Sequence, residues 1–211
     1  MLNVWGEAVD VKTAIINRRS IRKFKQDPIP NEYVTELLEA ARLAPSGTNH
    51  QPWRFIVIRN KIVQQKIQEV AYGQTCLSEA PVLLVCCADI QTYAKDTARR
   101  VQELVEVGAM EKETADKYPG LNQPKDEQAL KTYIPHAMLN VAIAMQNIAL
   151  RAVSLGLGTC IIQLMKVKKI AGILDLPDNI IITALMPVGF SNENPDPRPR
   201  VPLDELIYRV I

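Results

Sequence analysis

Of the 211 residues, 47% are hydrophobic and 23% charged, which excludes a disordered chain and a collagen-like fibre. Lys and Arg number 25 against 23 Asp and Glu; a net charge of +2 argues against a broad nucleic-acid surface but leaves room for a local basic pocket. At 5%, aromatic residues are too sparse for a base-stacking RNA or single-strand binder. Four cysteines without a C-x-x-C pair cannot form a disulfide scaffold. Two histidines, His50 and His136, argue against a His-based metal site, and no metal is expected. The first residues carry Glu7 and Asp10 and lack the basic start and apolar core of a signal peptide. No apolar stretch reads as long enough to span a bilayer. The expectation is a cytoplasmic, soluble protein with a single domain over residues 1–211.

A short helix is predicted over Val11 to Asn17. From Asn31 to Ala44, Val34, Leu37, Leu38 and Ala41 follow a helical stripe between Pro30 and Pro45. Ser46-Gly47-Thr48-Asn49 then reads as a loop. Trp53 to Arg59 is strand-like, and a helix follows from Lys61 to Ala71. After Pro81 the run Val82 to Ala88 has the pattern of a strand covered on both faces. Within it, Cys86 and Cys87 should point to opposite faces as buried, unreactive thiols.

Residues 92–131 turn polar, with a break at Pro119-Gly120, and predict one or two surface helices that serve either as a flap or as a solvated excursion. The most apolar helix runs from about His136 to Ser154, with Met138, Val141, Ala142, Met145, Ile148, Ala149 and Ala152 on one face; it belongs in a core or a subunit interface. Glycines at 156 and 158 cap it. A short helix over Lys168 to Leu174, a strand over Asn179 to Phe190 and a proline-rich arm over 192–211 complete an α+β chain.

Arg18-Arg19-Ser20-Ile21-Arg22 sets three guanidinium groups and a hydroxyl within five residues, a set that suits a phosphate; surface arginines paired with acids are the plainer alternative. Gly156-Leu157-Gly158-Thr159 lacks the third glycine of a dinucleotide fingerprint and follows a helix, which rejects a Rossmann site. Arg198-Pro199-Arg200 adds two cations to the arm.

In order along the chain, these motifs, the segment Ala44 to Trp53 and Gly189-Phe190 closely resemble the nitroreductase-like family of FMN-dependent oxidoreductases, from about Val11 to the end and least within 92–131. The resemblance implies a mixed central sheet flanked by helices, in an obligate homodimer with FMN at the subunit interface. It places Arg18, Arg19 and Ser20 at the FMN phosphate and ribityl chain, Arg22 towards the flavin ring, and Arg198 and Arg200 at the phosphate. Pro45, Ser46, Gly47 and Asn49 match the loop that reaches the ring from the other subunit, and Gly158 the strand beneath it. Gln74 matches a position at the pyrimidine edge. Leu164-Met165 stands where some members carry Glu-Gly beside N5, which leaves backbone N–H groups as partners there and makes Lys166 an additional cation.

No side chain is then expected to act as catalyst, because the flavin carries the chemistry. The implied activity is ping-pong electron transfer from NAD(P)H through FMN to nitroaromatics or quinones. The alternatives are a non-catalytic FMN-binding or storage protein, or another branch such as a flavin reductase, NADH oxidase or enone reductase.

Overall fold

Residues 9–118 and 126–211 are described by a computed structural model; Glu7 and the Pro119-Gly120 break lie outside the described residues. In chain order the elements are α1 (Val11–Asn17), α2 (Asn31–Arg42), β1 (Trp53–Ile58), α3 (Lys61–Val70), α4 (Cys76–Glu79) and β2 (Val82–Asp89). There follow α5 (Thr92–Lys95), α6 (Thr97–Glu106), α7 (Lys112–Asp116), α8 (Glu127–Thr132), α9 (Ile134–Ser154), β3 (Leu157–Thr159), α10 (Val167–Ile173) and β4 (Ile180–Phe190). Among its described residues the polar excursion thus shows four short helical segments rather than one or two. It also contributes Tyr93, Val101 and Leu130 to the interior, which hydropathy averaged over a charged stretch does not reveal.

Helix starts follow local chemistry. The Asp10 carboxylate accepts from Thr13 N at 2.9 Å and from Thr13 Oγ1 at 2.8 Å, capping α1. Asn60 caps α3 by accepting from Ile62 N and Val63 N. Gly156, at φ +70°, ends the turn after α9 in the left-handed conformation that glycine adopts without steric cost.

The strands pair antiparallel in the order β1-β2-β4-β3. A parallel element enters where Ser20 bridges Thr159, while Phe24 bridges Ser191 antiparallel. Side chains of β2 alternate between two cores. Val82, Leu84, Cys86 and Ala88 face the layer built by α2 and α9, and Leu83, Val85 and Cys87 face the one built by α3, α4 and α10. The adjacent thiols are therefore split between the faces, as alternation dictates. Burial pushes both thiols well above their ordinary range, Cys87 to about 12, so both stay protonated and inert. Opposite them Thr183 is skipped in the register with β2, a bulge that leaves its buried hydroxyl without a hydrogen-bond partner.

The helix α9 is 21 residues long and, by length and composition, apolar enough to cross a membrane, which corrects the expectation that no such stretch exists. Its inner face is Ala137, Asn140, Val141, Ala144, Met145, Ile148, Ala149 and Ala152. Ala142, expected on the apolar face that belongs in a core or a subunit interface, is exposed in the single chain, and so is Leu139. An all-round apolar helix has no hydropathy contrast to fix its rotation, so neighbouring elements decide it.

Glycines at 158 and 189 face each other across β3 and β4. A Cβ on Gly189 would stand 2.7 Å from Pro81 Cδ and 2.8 Å from Phe24 Cδ1. Gly189→Ala should therefore lower the unfolding free energy by about 1–3 kcal/mol in urea titration through overpacking; an unchanged midpoint would show that Phe24 and Pro81 yield freely.

Candidate functional site

The first turn beyond α1 carries the basic motif. Arg18 caps the helix through its N–H to Ala14 O, and Arg19 Nη1 donates to Ile16 O at 2.5 Å and Arg18 O at 3.0 Å. The chain then runs alongside β3, where Ile21 N donates to Thr159 O at 2.9 Å. Ile21 fills the space a side chain on Gly158 would need, 2.6 Å from that position, so the close approach that Gly158 permits is made by this chain's own isoleucine. Further on, Arg22 N and Lys23 N donate to Glu193 Oε1 at 2.5 and 3.2 Å, which ties the segment to the root of the C-terminal arm.

A cavity of about 250 Å³ opens between Arg18, Arg19 and Ser20 on one side and Pro197, Arg198 and Arg200 on the other. The structure thus brings together the two ends of the sequence motif series within one chain. Among the described residues no carboxylate lies within 4.0 Å of the guanidinium groups of Arg18, Arg19, Arg22, Arg198 or Arg200. Among the described residues, the side-chain hydrogen bonds of Arg19, Arg22 and Arg200 go to backbone carbonyls. Glu193, the nearby acid, is engaged by backbone N–H groups. Charges gathered without a counter-charge, around a hollow of this size, fit an anionic group supplied from outside.

Next to Arg22 lie two buried thiols. Burial, with the neighbouring Cys160 thiol adding to it, raises Cys76 to about 11; burial also raises Cys160 against the opposing pull of Arg22 and Ser20. Neither is a thiolate at neutral pH.

A second group of expected residues meets at the other end of β3. Gln74 Nε2 donates to Ala71 O at 2.8 Å and to Leu164 O at 2.9 Å, and Lys166 N donates to Val70 O at 3.0 Å. Gln74, Leu164 and Met165 are thereby gathered by backbone contacts between the turn after α3 and the segment before α10. Leu164 is exposed and Met165 half-buried.

The loop Pro45 to Asn49 lines neither arginine-bordered cavity. Its backbone is strained: Thr48, Asn49 and Gln51 sit at φ 50°, 51° and 49°, a conformation that costs about 1–3 kcal/mol each for non-glycine residues. It is held from several sides. Gly47 N donates to Asn140 Oδ1 at 3.4 Å, Gln51 N donates to Ser46 Oγ at 3.0 Å, and the Thr48 and Tyr118 hydroxyls hydrogen-bond. His50 is buried, bonding Gly47 O through Nδ1 at 2.8 Å and Thr97 Oγ1 through Nε2 at 3.2 Å, and its ring stacks on Tyr93 at 4.4 Å. Asn140 Nδ2 donates to Tyr93 Oη at 3.0 Å, and Tyr133 stacks on the far face of the array.

Sequence reasoning missed these supports: Asn140, His50, Thr97 and Tyr118. A polar Asn on the inner face of an apolar helix was the one signal available for them.

Comparison with known proteins decides the family. Residues 15–190 match the Nitroreductase family. The chain belongs to that family. A Thermus thermophilus protein named NADH dehydrogenase is 31% identical over 199 residues, covering 94% of this chain and 95% of its own. The FMN reductase [NAD(P)H] of Bacillus subtilis is 26% identical over 202 residues, covering 95% and 73%. A protein from Exiguobacterium sibiricum, assigned as a nitroreductase and solved in complex with FMN, superposes with a TM-score of 0.79 at 24% identity, covering 97% and 99%. The nitroreductase fold is accordingly the α+β fold described above.

Replacing Asn140 by Leu removes the acceptor of the Gly47 N–H and the donor to Tyr93 at once. The variant should lose about 1–3 kcal/mol of unfolding free energy, read as a lowered urea midpoint. An unchanged midpoint would show that the strained loop is held without it.

Proposed function

We propose that this chain is an FMN-dependent NAD(P)H oxidoreductase, soluble and cytoplasmic, that works as a homodimer and reduces electron-poor acceptors such as nitroaromatics and quinones. The observation that carries the reading is the group of guanidinium side chains that have no carboxylate partner among the described residues, gathered around a 250 Å³ hollow in a member of the Nitroreductase family. The names of the relatives support it: NADH dehydrogenase, FMN reductase and a nitroreductase with FMN bound.

Arg18, Arg19, Arg198 and Arg200 hold the phosphate of FMN, where guanidinium forks match its oxygens in bidentate fashion. Ser20 adds a hydroxyl beside them. Arg22 carries positive charge towards the ring, where reduction leaves negative charge on the N1–O2 side. Gln74, whose amide nitrogen is held by Ala71 O and Leu164 O, would offer its amide oxygen to the pyrimidine edge, and backbone N–H groups at Leu164 and Met165 would serve N5. FMN itself, when bound, supplies the chemistry, accepting electrons from NAD(P)H and passing them to the acceptor in ping-pong order. The protein's part is to bind, orient and tune.

The dimer rests on apolar surface left uncovered in a single chain. Val11, Ile15 and Ile16 on α1, Leu43, and Leu139 on α9 are exposed, and so are Val201, Leu203, Leu206 and Ile207 on the arm. Of these, Val11 and Leu43 line one apolar hollow together with Val9, Ala40 and Leu150, and apolar surface of that kind suits an interface. The partner then brings Pro45, Ser46, Gly47 and Asn49 to the ring, and Gly158 forms part of the floor. Residues 1–211 act as one domain, with 92–131 as its excursion.

Three experiments test this. The purified protein should show a flavin absorbance spectrum that bleaches on anaerobic addition of NADH or NADPH and returns with a quinone or nitroaromatic. Bound flavin that neither nucleotide reduces would point instead to a binding protein. In the double variant Arg18→Ala, Arg200→Ala, two charge-assisted contacts are lost, and FMN dissociation should rise about 100-fold or more with the far-ultraviolet circular dichroism retained. Tight retention of FMN would sink the phosphate assignment. Sedimentation at micromolar concentration should find the dimer; a monomer there would leave the Pro45 to Asn49 loop without its flavin.

A further inference from the structure

The turn after α3 departs from what its sequence makes easy. Tyr72 lies at φ 58° and is 59% exposed, immediately before Gly73 at φ 71°. A bulky residue at positive φ is an outlier that glycine or asparagine would avoid, and its ring is not used to fill the core. What the ring does touch is a cation. Lys166 Nζ stands 5.6 Å from the Tyr72 ring centroid, within cation–π range. The two residues are brought together by a backbone hydrogen bond, Lys166 N to Val70 O, and by a side-chain one, Gln74 Nε2 to Leu164 O.

Among the described residues no carboxylate lies within 4.0 Å of Lys166, and Lys168 and Lys169 follow it. The ammonium is thus held on one side by an aromatic face, which offers no competing anion, and is open to solvent on the other. Beside it, Leu164 exposes 62% of its surface, an apolar neighbour for a flat ring. A lysine normally loses about 2 kcal/mol of rotamer freedom when fixed by a ligand. Here part of that ordering is made in advance by the tyrosine ring.

We propose that Tyr72 and Lys166 form a receptor for the anionic group of a planar aromatic substrate seated beside Gln74 and Leu164, and so set selectivity for negatively charged substrates. The inference rests on the flavin site assigned above, because Gln74 and Leu164 are its ring-edge residues. Two substrates of a ping-pong enzyme carry such chemistry: an acceptor bearing a carboxylate, and the phosphates of NAD(P)H.

The test uses the FMN-loaded dimer with paired probes. Benzoate and benzamide differ in charge but not in shape, and their binding to the oxidised protein is read by calorimetry. Lys166→Met should weaken benzoate relative to benzamide by about five-fold, and Lys166→Glu by about twenty-fold, as expected for loss and then reversal of one solvent-exposed charge. Tyr72→Leu should give part of the Lys166→Met loss, and Tyr72→Phe, which keeps the ring, should give none. The ratio of kcat/KM for 4-nitrobenzoate over 4-nitrobenzamide should fall in parallel.

A loss seen for benzoate assigns the receptor to the acceptor. A loss confined to the dissociation constant of NADH or NADPH in the anaerobic reductive half-reaction assigns it to the dinucleotide phosphates. Either supports the receptor. Equal weakening of benzoate and benzamide, or no weakening of any anion, would overturn it. A wild-type protein that binds no FMN would overturn the functional reading as well, and is seen before any variant is made.

Discussion

The structure depends on a pair of glycines that face each other across β3 and β4. Their missing side chains let Ile21 and Phe24 lie directly against the sheet at Gly158 and Gly189, and that contact fixes the path of residues 18–25. Once the path is fixed, Arg18 and Arg19 fall at the end of α1, Ser20 bridges Thr159, and Glu193 grips the backbone of Arg22 and Lys23. The root of the arm is then placed so that Arg198 and Arg200 stand across a hollow from Arg18 and Arg19. A basic cluster of this kind repels itself, and only packing strong enough to hold its backbone can keep it assembled before an anion arrives. The cysteine pair near Arg22 fits the same logic: neutral thiols add no charge that would cancel the arginines.

The loop at Pro45 to Gln51 is the opposite case, held by contacts rather than by space. Its glycine is not where the left-handed conformations are; Thr48, Asn49 and Gln51 adopt them instead. Such a backbone persists when its surroundings over-determine it. The supports come from α5, α6 and α9 and from Tyr118 beyond α7, so the polar excursion, through Tyr93, Thr97 and Tyr118, buttresses the loop. This explains why a stretch so charged sends aromatic and hydroxyl side chains inward.

Much of this was legible in the sequence. Periodicity located α2 and α3, alternation separated Cys86 from Cys87, and proline and glycine marked the ends of α2 and α9. The arginines proposed to hold a phosphate stood out because Arg18, Arg19, Arg198 and Arg200 fall in two short, chemically conspicuous motifs. What was not legible follows from physics that a linear pattern does not carry. Which side of α9 the single chain buries was not legible at Ala142, which is exposed, since a helix apolar on every side gives no contrast. The packing of Ile21 against Gly158 is a contact between residues far apart in sequence, which no local pattern announces. The loop strain and the Asn140 support depend on φ values and on side chains that meet only after folding.

The two ends of the candidate site also differ in how much of it one chain supplies. The phosphate end closes on itself, with both basic motifs around one hollow. The ring end is built from short pieces, the turn at Tyr72 to Gln74 and the segment Leu164 to Lys166, held by a few backbone hydrogen bonds at the surface. On the proposed assignment, affinity for the cofactor would come largely from charges on a rigid frame, acting through Coulombic and hydrogen-bond terms. Discrimination among substrates falls to exposed side chains at the rim, Leu164, Tyr72 and Lys166, which can change without disturbing either core. That division lets one fold keep its cofactor while acceptor choice varies, and it explains why family membership is readable from the arginines and glycines while the natural acceptor is not.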